Sequence, residues 1–212
     1  MEATTYLTDA NYIQAHAISS EPKSDREIIT AIRSGDGSAF ELLITKYQTK
    51  VFHHCLRMVR DREECADLTQ EVFLKVFRNI HKYEHAYAFY TWLYKITANC
   101  CIDYLRNSKR KIIKVPLYHV DSWDQSDIAK DQDISDETYV PENTLLNSEL
   151  RDILNDAVGR LSDNLRSTIL LKEIEGCSYA EIAEISDCSI GTVKSRMHRA
   201  REELKTYLAP YV

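Results

Sequence analysis

Along most of this 212-residue chain, apolar residues recur three and four positions apart, the spacing that lines one face of an α-helix. No segment alternates as a half-buried strand would. Phe40, Leu43, Ile44, Tyr47, Val51, Cys55 and Val59 form one stripe. Leu68, Val72, Phe73, Val76 and Ile80 form a second, on a helix starting at Asp61, and a third long helix is expected from about Ala88 to Lys109. Further on, Leu146, Leu150, Ile153, Leu154, Ala157 and Leu161 share a face, and Leu165, Ile169, Leu170 and Ile174 mark another helix. The pattern predicts an all-α fold of two small helical domains, the C-terminal one a four-helix module.

Helix starts are written locally. Ser24 with Glu27, Ser38 with Glu41, and Ser178 with Glu181 have capping-box spacing, in which hydroxyl and carboxylate satisfy amides that lack a partner at a helix start. Gly35 suits the end of the short first helix. The run SYAEIAEISDCSIGTVKSRMHRAREEL, from Ser178 to Leu204, carries the most information. Asp187, Cys188 and Ser189 fit a tight turn, Ser189 caps the helix that follows, and Ala183 is small where two helices must cross closely. In that second helix Ile190, Val193, Met197, Ala200 and Leu204 are expected to face inward, while Gly191, Lys194, Ser195, His198 and Arg199 form the opposite stripe. The result is a helix-turn-helix with a basic outer face, a pattern that points to DNA.

Charge at first contradicts this reading, because the formal net charge is −6. Its distribution removes the contradiction. Between His119 and Glu149 lie six Asp and three Glu against one Lys, a net of −8, so this one segment outweighs the whole chain. Basic clusters flank it, Arg106 to Lys114 on one side and Lys194 to Lys205 on the other. A hydrophobe-poor acidic stretch of this kind is expected to be an extended tether between two cationic domains. The organisation expected is a mobile N-terminal tail over 1–23, a first domain over 24–111, a flexible acidic linker over 112–140 and a second domain over 141–212.

Two features of the first domain suggest surfaces rather than core. On the helix after Asp61, Asp67, Gln70, Glu71 and Leu74 fall at i, i+3, i+4 and i+7, a mixed acidic and apolar face that suits either solvent or a basic helical partner. Six aromatics crowd the stretch from Tyr83 to Tyr94, with Lys75, Arg78, Lys82 and Lys95 alongside. Aromatic rings among cations fit single-stranded nucleic acid, where bases stack on rings and cations follow phosphates. Trp92 and Leu93 are expected in the core and Tyr83, before the helix, at a base.

Other chemistry is excluded by what the chain lacks. No Gly-rich phosphate loop, nucleophile motif or convergent carboxylate pair is present, so neither an enzyme nor a cofactor or small-molecule substrate is expected. His81 with His85, and His53 with His54 and Cys55, lack the further ligands of a metal site. Six cysteines without Cys-x-x-Cys spacing read as buried, reduced thiols. No apolar run is long enough to span a bilayer and the N-terminus does not read as a signal peptide, which places the chain in the cytoplasm.

Three stretches, DLTQEVFLKVF from Asp67, AFYTWLYKITANCCIDYLR from Ala88 and SYAEIAEISDCSIGTVKSRMHRAR from Ser178, resemble the extracytoplasmic function (ECF) sigma factors of bacterial RNA polymerase, of the sigma-E kind. The likeness runs from about Asp25 to Leu208. It implies a transcription initiation factor for an envelope or stress response. Its first domain would bind core RNA polymerase and the melted −10 promoter element, and its second would read the −35 element of promoter DNA. Carried over by position, Asp67, Gln70, Glu71 and Leu74 would face polymerase. Lys75, Asn79, Tyr83 and Asn99 would lie near the flipped non-template bases, and Lys194, Ser195, His198 and Arg199 would enter the major groove. The resemblance also implies an anti-sigma factor, often membrane-bound, as a partner. Without it, the residues alone leave open a conventional helix-turn-helix regulator that does not act through core polymerase.

Overall fold

The computed structural model describes residues 24–84, 86–114 and 141–211, with side chains over 24–84, 86–109 and 150–211. The expected tail, His85 and the linker from 115 to 140 lie outside the described residues. Among the described residues are eight α-helices and no strand: α1 (Asp25–Arg33), α2 (Gly37–Val59), α3 (Arg62–Asn79), α4 (Phe89–Lys114), α5 (Pro141–Arg160), α6 (Asp163–Glu173), α7 (Tyr179–Ile185) and α8 (Ile190–Leu208). The all-α expectation holds. The chain divides into two compact units, Met1–Leu43 and Ile44–Val212, with the division falling inside α2.

In the first unit, Ser24 and Glu27 close the expected capping box at the start of α1, and Ile28 and Ile29 are buried. After α1 the chain turns through Gly35 at φ +95°, a left-handed conformation in which a side chain would be strained. Ser38, expected to open the next helix, is instead its second residue. The carboxylate of Asp36 takes the capping role, accepting from the Ser38 backbone N–H at 3.0 Å and from its hydroxyl at 2.6 Å.

In the second unit, Asp61 caps α3 by accepting from the Glu64 N–H at 3.1 Å. The expected stripe of Leu68, Val72, Phe73, Val76 and Ile80 is buried, and α3 packs on α4. Half of the aromatic stretch is core: Tyr83, Phe89 and Tyr94 are buried, Tyr90 and Trp92, the latter expected in the core, are half-buried, and Tyr87 is exposed. Phe89 packs against Tyr47 and Tyr83 at centroid separations of 5.4 and 5.6 Å, and Tyr83 against Trp92 at 5.4 Å.

The last four helices form the expected module, with α8 packed on α5, α6 and α7. Its core includes Ala157, Leu161, Leu165, Ile169, Leu170, Ile182, Val193, Met197 and Ala200. Four residues of the expected apolar faces are exposed: Leu150, Leu154, Ile174 and Ile190. Each stands outside the region of helix crossing. Among the described side chains of α5, from Leu150 on, burial begins at Ala157; Ile174 follows the last turn of α6, and Ile190 is the first residue of α8.

Candidate nucleic-acid interface

The helix-turn-helix is built as its sequence dictates. Ser178 and Glu181 form the reciprocal capping box of α7, with the Ser178 N–H donating to Glu181 at 2.8 Å and the Glu181 N–H donating to Ser178 Oγ at 3.2 Å. The turn passes through Asp187 at φ +48°, a left-handed position that a short polar residue tolerates. The Cys188 N–H donates to the carbonyl of the closely packed Ala183 at 3.0 Å, and Ser189 Oγ accepts from the Thr192 N–H at 3.1 Å to start α8. Val193, Met197 and Ala200 anchor α8 from below. Lys194, Ser195, His198 and Arg199 consequently stand together on the exposed side, two cations and two hydrogen-bonding side chains over less than two turns. A helix presenting such a row matches the width of a DNA major groove and the acceptor pattern of guanine.

A second surface lies on α3. Asp67, Gln70, Glu71 and Leu74 are all exposed, and the stripe continues to Phe77. Leu74 and Phe77 are 53% and 57% exposed, unusual for large apolar residues three positions apart, and sequence reasoning missed Phe77. The signal was present, since Phe77 follows Leu74 on the face that Asp67 begins. Glu71 is also tied to Lys75 by an i, i+4 ion pair of 2.7 Å.

The residues expected at melted DNA are partly brought together. Lys75 Nζ reaches across from α3 to Cys100 Sγ on α4 at 3.2 Å, next to the exposed Asn99. The Asn79 amide donates to the Lys75 carbonyl at 2.9 Å. Tyr83 stands apart from this group. It is only 5% exposed, its ring faces are taken up by Phe89 and Trp92, and its hydroxyl donates to the Tyr87 carbonyl at 2.6 Å. Its place is in the wall of the loop, and in this conformation the ring is closed to a base.

A third cluster was not legible in the sequence. Three glutamates, Glu175 in the turn after α6 and Glu181 and Glu184 on α7, meet residues of α2 and α4. Glu175 lies between His54, whose Nδ1 is 3.2 Å from it, and the hydroxyl of Tyr94. Glu181 accepts from the Tyr90 hydroxyl and lies 3.5 Å from that of Thr91, and Glu184 pairs with Lys95 at 3.0 Å. Burial opposes ionisation of Glu175, but the bonds from His54 and Tyr94 outweigh it and hold its pKa below the ordinary 4.5. Burial, reinforced by the Glu175 carboxylate, raises the Tyr94 pKa.

Arg166 on α6 completes the joint. Its guanidinium is buried and finds carbonyls in place of a carboxylate: Met58 at 2.5 Å, Gly159 at 2.5 Å, Leu161 at 3.1 Å and Val158 at 3.3 Å. Met58 lies in the last turn of α2, and Val158 and Gly159 in that of α5, where carbonyls lack helical partners and the helix dipole is negative. One cation thus caps two helices.

These surfaces fall within two family matches. Residues 43–111 match the family described as Sigma-70 region 2, and residues 151–204 match Sigma-70, region 4. The class is therefore that of the sigma-70 proteins. The chain is 38% identical over 192 residues to the ECF RNA polymerase sigma-E factor of Haemophilus influenzae, covering 90% of this chain and 98% of that one. It is 36% identical over 193 residues to the sigma-E factor of Escherichia coli K12, with 91% and 98% covered. Against the RNA polymerase sigma-H factor of Pseudomonas aeruginosa it is 34% identical over 188 residues, with 89% and 95% covered. Likenesses this complete settle its place: the chain belongs to the ECF sigma factors, the alternative sigma factors of transcription initiation. Its fold is similar to that of CnrH, solved in complex with the cytosolic domain of CnrY, at a TM-score of 0.62 and 19% identity over 89% of this chain and 99% of that one. It is also similar to the sigma factor RpoE of Bartonella quintana, solved with the anti-sigma factor NepR, at 0.61 and 21% over 80% and 96%. Among the described residues no helix is long and apolar enough to cross a membrane.

Proposed function

We propose that this sigma factor docks on core RNA polymerase through the α3 face of Asp67, Gln70, Glu71 and Leu74, extended by Phe77. The −35 element is then read by Lys194, Ser195, His198 and Arg199, and the melted −10 strand is held beside Lys75, Asn79 and Asn99. Tyr83 supports this second site by shaping the loop after α3. Residues 24–111 and 141–212 act as the two promoter-reading domains, joined by the acidic linker, and the chain works in the cytoplasm without catalysing a reaction of its own. The observation that carries the proposal is the pairing on one chain of an exposed basic stripe on a capped helix-turn-helix with an exposed acidic and apolar stripe on α3. A protein that bound DNA alone would have no use for the second stripe.

Opposite charges explain the division of labour. The α3 face carries carboxylates around two large apolar side chains and suits a basic helical partner. The α8 stripe carries cations and suits phosphate and guanine. In the packing described above, Glu181 and Glu184 cover Tyr90 and Lys95, so the helices carrying the two DNA sites are held together. Simultaneous engagement of two separated promoter elements requires that contact to open. An anti-sigma partner, like the NepR solved with the RpoE of similar fold, inhibits this chain by occupying its exposed faces.

Run-off transcription with purified core polymerase on a promoter library tests the proposal. Wild type gives promoter-specific transcripts. Lys194→Ala/Arg199→Ala loses dependence on the upstream element, and Asp67→Ala/Glu71→Ala loses transcript while retaining duplex binding. DNA binding with no polymerase-dependent transcript would instead identify a conventional helix-turn-helix regulator.

A further inference from the structure

Four of the six cysteines gather in the helices of the first promoter-reading domain, and two of them touch. Cys55 on α2 and Cys101 on α4 are each wholly buried, and the Cys101 thiol donates to the Cys55 sulfur with the two Sγ atoms 3.6 Å apart. Cys65 on α3 is also wholly buried, and Cys100 accepts from Lys75. All six thiols are free. Among the described residues no group of three His, Cys, Asp or Glu side chains is arranged to hold a metal ion.

We propose that Cys55 and Cys101 form a dithiol that a peroxide oxidises reversibly to a disulfide, clamping α2 to α4. A disulfide needs its sulfurs about 2.05 Å apart, so the pair has only about 1.5 Å to close, within reach of small χ1 rotations. The two thiols are also unequal. The Cys101 S–H directed at Cys55 favours a thiolate there and lowers the Cys55 pKa against the opposing effect of burial. That same bond, together with burial, raises the Cys101 pKa. Cys55 is therefore the attacking sulfur and Cys101 the resolving one.

The chemistry balances. The Cys55 thiolate attacks one peroxide oxygen, the O–O bond breaks, and hydroxide leaves and is protonated to water. Cys55 is then a sulfenic acid. The Cys101 sulfur attacks it, the S–O bond breaks as the S–S bond forms, and the thiol proton leaves with the oxygen as a second water. Two thiols lose two electrons and the peroxide gains them. Because both sulfurs are shielded, oxidation is slow on the native protein and waits on local fluctuations that admit peroxide to the pair.

The bridge lies next to the joint described above. His54, which holds Glu175, is the residue before Cys55. Oxidation would therefore fix α2 against α4 one residue from the contact that keeps the promoter-reading helices together. This inference concerns the thiols alone and stands apart from the assignment of the polymerase and DNA faces.

The test treats the full chain with hydrogen peroxide under native conditions, blocks remaining thiols, digests with trypsin and maps linked peptides by mass spectrometry. The expected product joins the peptide containing Cys55 to that containing Cys100 and Cys101, in about tenfold excess over any other pair, and dithiothreitol reverses it. Cys100→Ala assigns the link, since it leaves the cross-link intact while Cys101→Ala abolishes it. In the oxidised wild type the thermal midpoint rises by roughly 5–10 °C, as expected for closing a long loop. Oxidation that stops at Cys188, a Cys55–Cys65 link, or a Cys55–Cys101 link formed only after denaturation would overturn the proposal. The wild-type mapping decides the matter even if a cysteine variant fails to fold.

Discussion

The two regions proposed to read DNA differ in how freely their side chains stand. On α8 the basic row is exposed and stands on a helix capped at its start by Ser189. Around α3 and α4 the corresponding groups are engaged: Lys75 with Glu71 and Cys100, Asn79 with a backbone carbonyl, Tyr83 with its neighbouring rings, and Tyr90 and Lys95 with glutamates. The contrast separates two ways of holding nucleic acid. Duplex DNA presents its groove ready-made, so a preformed rigid row suffices. Single-stranded bases must be extruded and trapped, and the receiving groups gain from being held until a partner competes for them.

Substitutions at the joint between these regions sharpen the comparison. The largest expected effect is at Arg166. Arg166→Leu leaves buried carbonyls of Met58, Gly159 and Leu161 without their donor and should destabilise the chain by about 3 kcal/mol, seen as a lower urea midpoint.

Glu175→Gln comes next, at about 1–2 kcal/mol at neutral pH, measured by thermal unfolding. It carries a pH signature. The folded-state pKa of Glu175 lies below its ordinary 4.5, so its contribution is present above pH 4.5 and is lost as pH falls through the lowered folded value. The wild type should lose stability on acidification below that point more steeply than Glu175→Gln does.

Ser178→Ala removes the α7 cap and should cost about 1 kcal/mol, a loss confined to the helix-turn-helix and visible as faster amide exchange at Glu181. Lys95→Ala should change stability by less than about 0.5 kcal/mol, because its pair with Glu184 is partly exposed. Thermal unfolding of the variant beside wild type checks this, and a loss above about 1 kcal/mol would show the pair to be stronger than its exposure implies.

How much of this was legible in advance varied with the range of the interaction. Ser24, Ser178 and Ser189 cap their helices as read, because a cap and its target are three residues apart. The exposed row on α8 and the buried stripe of α3 followed from periodicity alone. Ser38 was displaced by Asp36, a carboxylate two residues earlier that accepts two bonds at once. Ile190 and Leu150 were read as core because a stripe tells which side of a helix is apolar and not where a neighbouring helix ends. Tyr83 was read as a surface aromatic from its basic neighbours, yet Phe89 and Trp92 enclose it. Glu175, Glu181 and Glu184 were invisible as a group. Their partners lie about 80 to 120 residues away and no local period links them.

The grip of Arg166 on main-chain oxygens has an evolutionary consequence. An ion pair between side chains can be lost by changing either partner and restored by changing the other, so it leaves paired traces when sequences drift. A side chain that holds carbonyls has no second residue to mutate. The bonds to Met58 and Val158 are made by main-chain oxygens, so they survive any exchange that the packing there allows and that keeps both helices ending where they do. This joint is written at one position, which drift must keep as arginine while the residues it touches change around it.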